Sequence, residues 1–204
     1  MWLAEKEGTQ EAIFDALHHI RRAQDERKPI GMVKMDIRKF FDTIDREKLW
    51  IKMEELGFEG RLMQWIKAHM DGMGYFVKVK DARTAPKTHE IGLPQGSILS
   101  PILAAIHTEG APDVIMQKHA WMTTNSMERT NTRPRVFATQ FADDNSVVIA
   151  GPDEETIDRE KVSVIKRFTL WARLMSLQFD LASGKTEHMT IHSLMHMSAS
   201  NPST

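Results

Sequence analysis

Residues Val136-Phe137-Ala138-Thr139-Gln140-Phe141-Ala142-Asp143-Asp144-Asn145-Ser146-Val147-Val148-Ile149-Ala150 set two apolar, β-forming runs on either side of a polar turn. Asp and Asn hydrogen-bond to their own backbone and tolerate tight-turn geometry, so Ala142 to Ser146 reads as the tip of a β-hairpin. The tip carries two adjacent carboxylates, Asp143 and Asp144, held out of the core by rigid apolar flanks. An isolated Asp-Asp turn is ordinary turn chemistry. A functional reading of it needs support from elsewhere in the chain.

Two other segments supply that support. Ile30 to Ile37 places Met32, Val33, Met35 and Ile37 in a run too short for a stable helix, and reads as a buried strand. Asp36 stands late in that run, so pairing of this strand with the hairpin sets Asp36 toward the same tip. Hard divalent ions such as Mg²⁺ take oxygen ligands, and a two-metal site for phosphoryl transfer gathers carboxylates around ions about 4 Å apart. Gly92-Leu93-Pro94-Gln95-Gly96-Ser97-Ile98-Leu99-Ser100-Pro101 is stiffened at Pro94 and stripped of side-chain bulk at Gly92 and Gly96, with a short helix predicted from near Ser97. Backbone with so little cover lets a base or phosphate approach closely.

The remaining elements follow from periodicity. Ala12, Ile13, Ala16, Leu17 and Ile20 recur at helical spacing between Gln10 and Arg27, ahead of Pro29. A helix is predicted from Arg46 to Leu56, started by Asp45 and ended by Gly57, and another from Arg61 to about Met70. Tyr75 to Val79 alternates as a strand and returns through a turn near Asp81 to Thr88-His89-Glu90-Ile91, which presents Lys78, Lys80, Arg83 and Lys87 together. The segment 121–135 lacks periodicity and reads as a loop insertion. After Pro152 a long helix is expected, with Ile157, Val164, Ile165, Phe168, Trp171, Ala172 and Met175 on its buried face. Glu187 to Ser193 alternates as a strand, and Ser193 to Thr204 is a loose tail.

Composition narrows the classes. The chain has 204 residues, 41% hydrophobic and 27% charged, with a formal net charge of −1, so any polyanionic partner is met by local patches. The absence of cysteine excludes disulfides, thiolate nucleophiles and Cys-containing zinc sites. Met1 to Glu7 carries charges where a signal peptide needs an apolar core, and no apolar run approaches a membrane span; a soluble protein of nucleus or cytoplasm is expected. His188, His192 and His196 recur every fourth residue, but Glu187 to Ser193 alternates as a strand, on which steps of four residues spread them about 13 Å apart, against a shared metal. His18 and His19 are neighbours on a helix and read as surface residues, and the 14 Met residues as gap-filling core. Arg21-Arg22, Arg27-Lys28, Arg133 and Arg135 read as a solvated face.

Taken in order, Asp36-Ile37-Arg38-Lys39-Phe40-Phe41-Asp42 with Thr43-Ile44-Asp45, Gly92-Leu93-Pro94-Gln95-Gly96-Ser97, Phe141-Ala142-Asp143-Asp144 and Gly184-Lys185-Thr186 resemble the palm motifs of reverse transcriptases. The resemblance covers about Glu7 to Ile191. Its style is that of non-LTR retrotransposon and group II intron enzymes, in which Phe-Ala-Asp-Asp is usual in place of Tyr-x-Asp-Asp. It implies an α/β (α+β) polymerase palm, an antiparallel sheet backed by helices on one face. The expected layout is a palm with partial fingers over 1–192, a palm core over 30–192, no thumb, and a tail at 193–204.

The same resemblance implies the roles. Asp36, Asp143 and Asp144, with the backbone of Ile37, would bind two Mg²⁺ ions, for which Mn²⁺ substitutes. Phe41 matches an aromatic steric gate that excludes a ribose 2′-hydroxyl. Gln95 and Gly96 match residues that pack on the incoming nucleotide and template, and Lys185 a lysine near the triphosphate. The expected partners are an RNA template, a DNA primer and deoxynucleoside triphosphates. The chain departs from the pattern at Glu7, near the place where related enzymes carry an Arg or Lys toward the triphosphate. It is therefore expected to be a fragment or degenerate copy, with weak template binding of its own. A non-catalytic nucleic-acid-binding remnant, and a subunit completed by a partner chain that supplies fingers and thumb, are the rival expectations.

Overall fold

The computed structural model describes residues 9–71, 73–88, 91–117, 133–141, 144–179 and 186–191. In chain order the elements are α1 (Thr9–Asp25), β1 (Ile30–Met35), α2 (Phe40–Thr43), α3 (Arg46–Glu55), α4 (Gly60–Asp71), β2 (Gly74–Tyr75), β3 (Lys78–Val79), β4 (Ala82–Arg83), β5 (Lys87–Thr88), α5 (Ser100–Thr108), α6 (Ala111–Met116), β6 (Arg135–Phe141), β7 (Asp144–Ala150), α7 (Glu154–Leu174) and β8 (Glu187–Ile191). Two compact units emerge, the first from the described residues of 1–37, 110–172 and 179–204, the second from 38–109 and 173–178.

The first unit is built on a four-stranded antiparallel sheet in the order β6-β7-β1-β8. The hairpin expected from the sequence is present, but its ladder runs further than the apolar residues do. Pairing continues from Arg135↔Ala150 to Phe141↔Asp144, further toward the expected five-residue turn than the apolar runs reach; Ala142 and Asp143 lie outside the described residues. Backbone pairing is indifferent to side-chain polarity, which is why Asp144, Asn145 and Ser146 join β7. β1 lies between β7 and β8, with Ile30 opposite Ala150 and Ile191.

Alternation gives β1 two different faces. Ile30 and Met32 turn to one side, where they share a core with Val148, Ala150 and the α1 residues Ala16, Ile20 and Ala23. Gly31 turns to the other, where a Cβ would lie 2.5 Å from Ile157 Cγ2 and 2.8 Å from Lys161 Cε, so α7 approaches the sheet at a distance only glycine permits. Helices thus cover both faces, rather than the one face expected. α1 reaches only the Ile30 end of its face, and there Glu26 binds Arg135 of β6 at 2.7 Å. The predicted apolar stripe of α1 is correctly spaced but only partly used, since Ile13 and Leu17 remain exposed. His19, expected at the surface, is half-buried and stacks on Phe137 with centroids 4.0 Å apart; burial, and next His18, lower its pKa.

α7 buries Ile157, Val164, Phe168, Trp171 and Ala172 as expected, and also Lys161. The ammonium of Lys161 is satisfied by Asp158 and the Thr190 hydroxyl, while its methylenes pack near Gly31.

In the second unit the Asp45 side chain accepts the Lys48 amide at 3.3 Å and caps α3, and Gly57 takes φ 86° just past the end of that helix. Leu49, Trp50 and Met53 of α3, Met63, Ile66 and Met70 of α4, and Leu103, Ala104 and Ile106 of α5 are buried. The helix expected near Ser97 begins at Ser100. The predicted hairpin turns at Lys80 and Asp81 as expected, but its strands reduce to two short ladders, β2 with β5 and β3 with β4. His89, Glu90, 118–132, the tail, Glu7, His192 and His196 lie outside the described residues. Among the described residues, no helix is long and apolar enough to cross a membrane.

Candidate active site

In the first unit the pairing of β1 with β7 carries Asp36 and Asp144 to the same end of the sheet. The last register pair is Met35↔Asn145, so one further antiparallel step sets Asp36 beside Asp144. Asp36 is buried, and Ile37 behind it is held by an isolated antiparallel bridge to Phe179. The Phe179 ring stands edge-on to Phe168 of α7, with centroids 5.2 Å apart, which anchors the segment leaving β1. Asp143 lies outside the described residues.

Asp144 opens β7, and its carboxylate lies 3.2 Å from Lys34 Nζ. Both side chains are about half exposed, at 52% and 53%, so water screens the pair and it contributes little to stability. Sequence reasoning overlooked Lys34, although its position two residues before Asp36 was the signal, because alternation puts both on one face. This face is covered by α1 at the Ile30 end and presents the Lys34–Asp144 pair near the other.

The second unit holds the remaining described candidates. Phe41, in the short helix α2, meets Phe40 edge-on at 5.2 Å. The Gly92 segment is fastened to this helix by the Leu93 amide donating to the Phe41 carbonyl at 2.7 Å and the Gly92 amide donating to the Ile44 carbonyl at 2.9 Å. Gly92 has φ 80°, and a Cβ there would lie 2.6–2.7 Å from backbone atoms of Phe41 and Asp42. Gln95 is exposed and donates from Nε2 to Asp42 Oδ1 at 3.4 Å, a long bond. Gly96, at φ 93°, has open space where a side chain would be.

A further residue shapes this segment. Arg46, the first residue of α3, is buried and donates Nε to the Gly92 carbonyl at 2.9 Å and Nη1 to the Met70 carbonyl at 3.2 Å. Burial lowers its pKa and the nearby Asp71 opposes that shift, but a guanidinium stays charged at any relevant pH. The sequence marked Arg46 only as a helix start. Lys185, the candidate near the triphosphate, lies outside the described residues.

The protein-family model described as reverse transcriptase (RNA-dependent DNA polymerase) matches residues 5–198. This chain belongs to the reverse transcriptase family. Its relatives include the RNA-directed DNA polymerase from mobile element jockey of Drosophila funebris, 30% identical over 106 residues, which are 52% of this chain and 12% of that protein. The protein named "Probable RNA-directed DNA polymerase from transposon BS", from Drosophila melanogaster, is 26% identical over 136 residues, 67% of this chain and 14% of that one. The chain thus spans only a small part of these relatives. Among solved structures, an apo telomerase from Candida tropicalis truncated from its C-terminal domain superposes with a TM-score of 0.62 at 15% identity, over 91% of this chain and 36% of that one. At that identity the likeness shows the fold, a reverse transcriptase palm with its antiparallel sheet and helices.

Among the described residues no three acidic or imidazole groups converge as a metal cluster. The donors that the motifs supply are nonetheless of one chemical kind: the carboxylates of Asp36 and Asp144 and the carbonyl of Ile37 are hard oxygen ligands, the type that Mg²⁺ and Mn²⁺ take.

Proposed function

We propose that this domain extends a DNA primer on an RNA template by adding deoxynucleotides to the primer 3′-hydroxyl, with release of pyrophosphate. The observation that carries the reading is the register of β1 on β7, which sets Asp36 of one motif next to Asp144 of another at one end of the sheet. On this reading Asp36, Asp143 and Asp144, with the Ile37 carbonyl, hold two divalent ions, Mg²⁺ or in its place Mn²⁺. Such ions, when bound, make the primer hydroxyl more acidic and neutralise charge on the transferred phosphoryl group.

The other roles belong to side chains. Phe41 fills the volume that a ribose 2′-hydroxyl needs. Gln95 and Gly96 pack on the incoming nucleotide and the template, with the open surface at Gly96 admitting a flat base. Lys185 places a cation by the departing pyrophosphate. Lys34 holds the Asp144 carboxylate as an ion pair that exchanges for a stronger cation.

Primer extension on an RNA template with Mg²⁺ and all four deoxynucleotides tests the reading. Loss of labelled product by roughly 100-fold or more in Asp143→Asn and Asp36→Asn, with template binding kept, supports it. Template binding without extension by the unmodified chain, even with a co-purified partner restored, would assign the domain to binding alone.

A further inference from the structure

The β2–β5 hairpin is poorly explained as a structural element. Between Met73 and Thr88 it carries Lys78, Lys80, Arg83 and Lys87 against the single carboxylate of Asp81, a local charge of +3 in a chain of net charge −1. None of the four cations makes an ion pair among the described residues. Register makes the arrangement costlier, because Lys78 stands directly opposite Arg83, and like charges across a ladder repel unless an anion lies between them. The hairpin's apolar residues do not offset this through burial: Phe76, Val77 and Val79 are 49%, 55% and 65% exposed.

Cations and exposed aromatic rings on one short ribbon are the ingredients of single-strand recognition. The Arg83 guanidinium already lies over the Phe76 ring, 5.2 Å from its centroid, and Tyr75 shares the ribbon with Lys87 opposite it. Phosphates answer the lysines and the arginine, while unpaired bases stack on the rings whatever their sequence. At the tip, Lys80 takes φ 53°, a left-handed conformation that glycine adopts more easily, so a charged residue occupies a position whose backbone favours its replacement.

We propose that this hairpin is a docking site for a single-stranded RNA, gripping its backbone through Lys78, Lys80, Arg83 and Lys87 and stacking a base on Phe76 or Tyr75. The inference rests on the reading of the chain as a template-using polymerase and narrows it to a surface.

The test is binding of the full chain to a fluorescently labelled 12-nucleotide single-stranded RNA across a KCl series, with the same RNA as a duplex in parallel. Each phosphate contact contributes a slope of about −0.7 in log K against log salt. Lys80→Gly, which relieves the backbone while removing a charge, is expected to reduce the slope by about 0.7 without lowering thermal stability. Lys78→Gln with Lys87→Gln is expected to reduce it by about twice that. Tyr75→Ser and Phe76→Ser are expected to weaken binding by about tenfold with the slope unchanged.

Three results would each overturn the proposal: no binding by the unmodified chain at low salt, a slope change as large in the exposed α7 control Lys166→Gln, or duplex bound as tightly as single strand. Primer extension separates the two readings. Unaltered binding in the hairpin variants of a chain that extends primers removes the docking site and leaves the polymerase. Loss of binding in those variants, in a chain that extends nothing, removes the polymerase and leaves the docking site.

Discussion

Gly92 stands so close to Asp42 that a methyl group on its Cα would lie 2.6 Å from the Asp42 carbonyl oxygen. That contact sets how near the Gly92–Gly96 segment comes to the helix bearing Phe41. Gly92→Ala meets both the clash and the positive φ, and is expected to cost about 2–5 kcal/mol, from backbone strain and overpacking together. Urea denaturation checks it; a midpoint within experimental error of the unmodified chain would show that the segment yields.

On the sheet, Gly31→Ala is expected to destabilise by about 1–3 kcal/mol, because the new Cβ meets Ile157 Cγ2 at 2.5 Å. The cause is open to a compensation test. Ile157→Ala alone leaves a void, but combined with Gly31→Ala it removes the obstructing methyl, so the double variant is expected to be more stable than the two single losses would predict. Additive losses would place the strain elsewhere, on Lys161 for instance.

His107 in α5 is fully buried, its Nε2 bonded to the Met175 carbonyl at 3.2 Å while Nδ1 has no partner among the described residues. Since a carbonyl only accepts, the neutral ring carries its proton on Nε2. Burial pushes its pKa down from 6.5 to about 4, with the Met175 bond opposing. Above pH 6.5 neither the folded nor the unfolded chain protonates this ring and it adds no pH dependence. As pH falls from 6.5 to about 4 the unfolded chain takes a proton that the folded chain refuses, and stability declines by roughly 3 kcal/mol in all. His107→Gln keeps a donor for Met175 and is expected to lose this component of the decline, read from urea midpoints at pH 7 and 4.5.

Phe41 gives the prediction that bears most directly on sugar choice. Phe41→Val and Phe41→Ala are expected to raise kcat/KM for ribonucleotides relative to deoxynucleotides by about 10- to 200-fold, the range over which a steric pocket discriminates by small groups. An unchanged ratio in a folded variant would remove the gate assignment.

The parts of the fold that were legible in the sequence are those with one buried face. The β6–β7 hairpin, β1 and α7 each show the periodicity of a half-covered or fully covered element, and they stand as read apart from their ends. α5 and α6 were not legible beyond a helix start, because Leu103, Ala104, Ile106, His107 and Thr108 are all buried and leave no polar stripe to set the period. The β2–β5 hairpin misled in the opposite way: its alternation is genuine, but every residue of its strands is exposed, and only two short ladders form. Among the candidate residues, motif order singled out Asp36, Phe41 and Gln95, whereas the contacts of Lys34 and Arg46 come from register and from a carbonyl 46 positions away, which no local pattern encodes.

The central position of β1 also governs when this protein acquires its sheet. Ile30 pairs with Ala150 on one side and Ile191 on the other, so both neighbours of the first strand are synthesised more than a hundred residues after it. Pairings so distant in sequence close slowly. A nascent chain that has made β1 must carry two unpaired edges until β7 emerges, and one until β8 follows; unpaired edges template aggregation. Chaperone dependence during synthesis, and insolubility of chains cut between Ala150 and Glu187, are the expected costs of putting the strand that leads into Asp36 in the middle of the sheet.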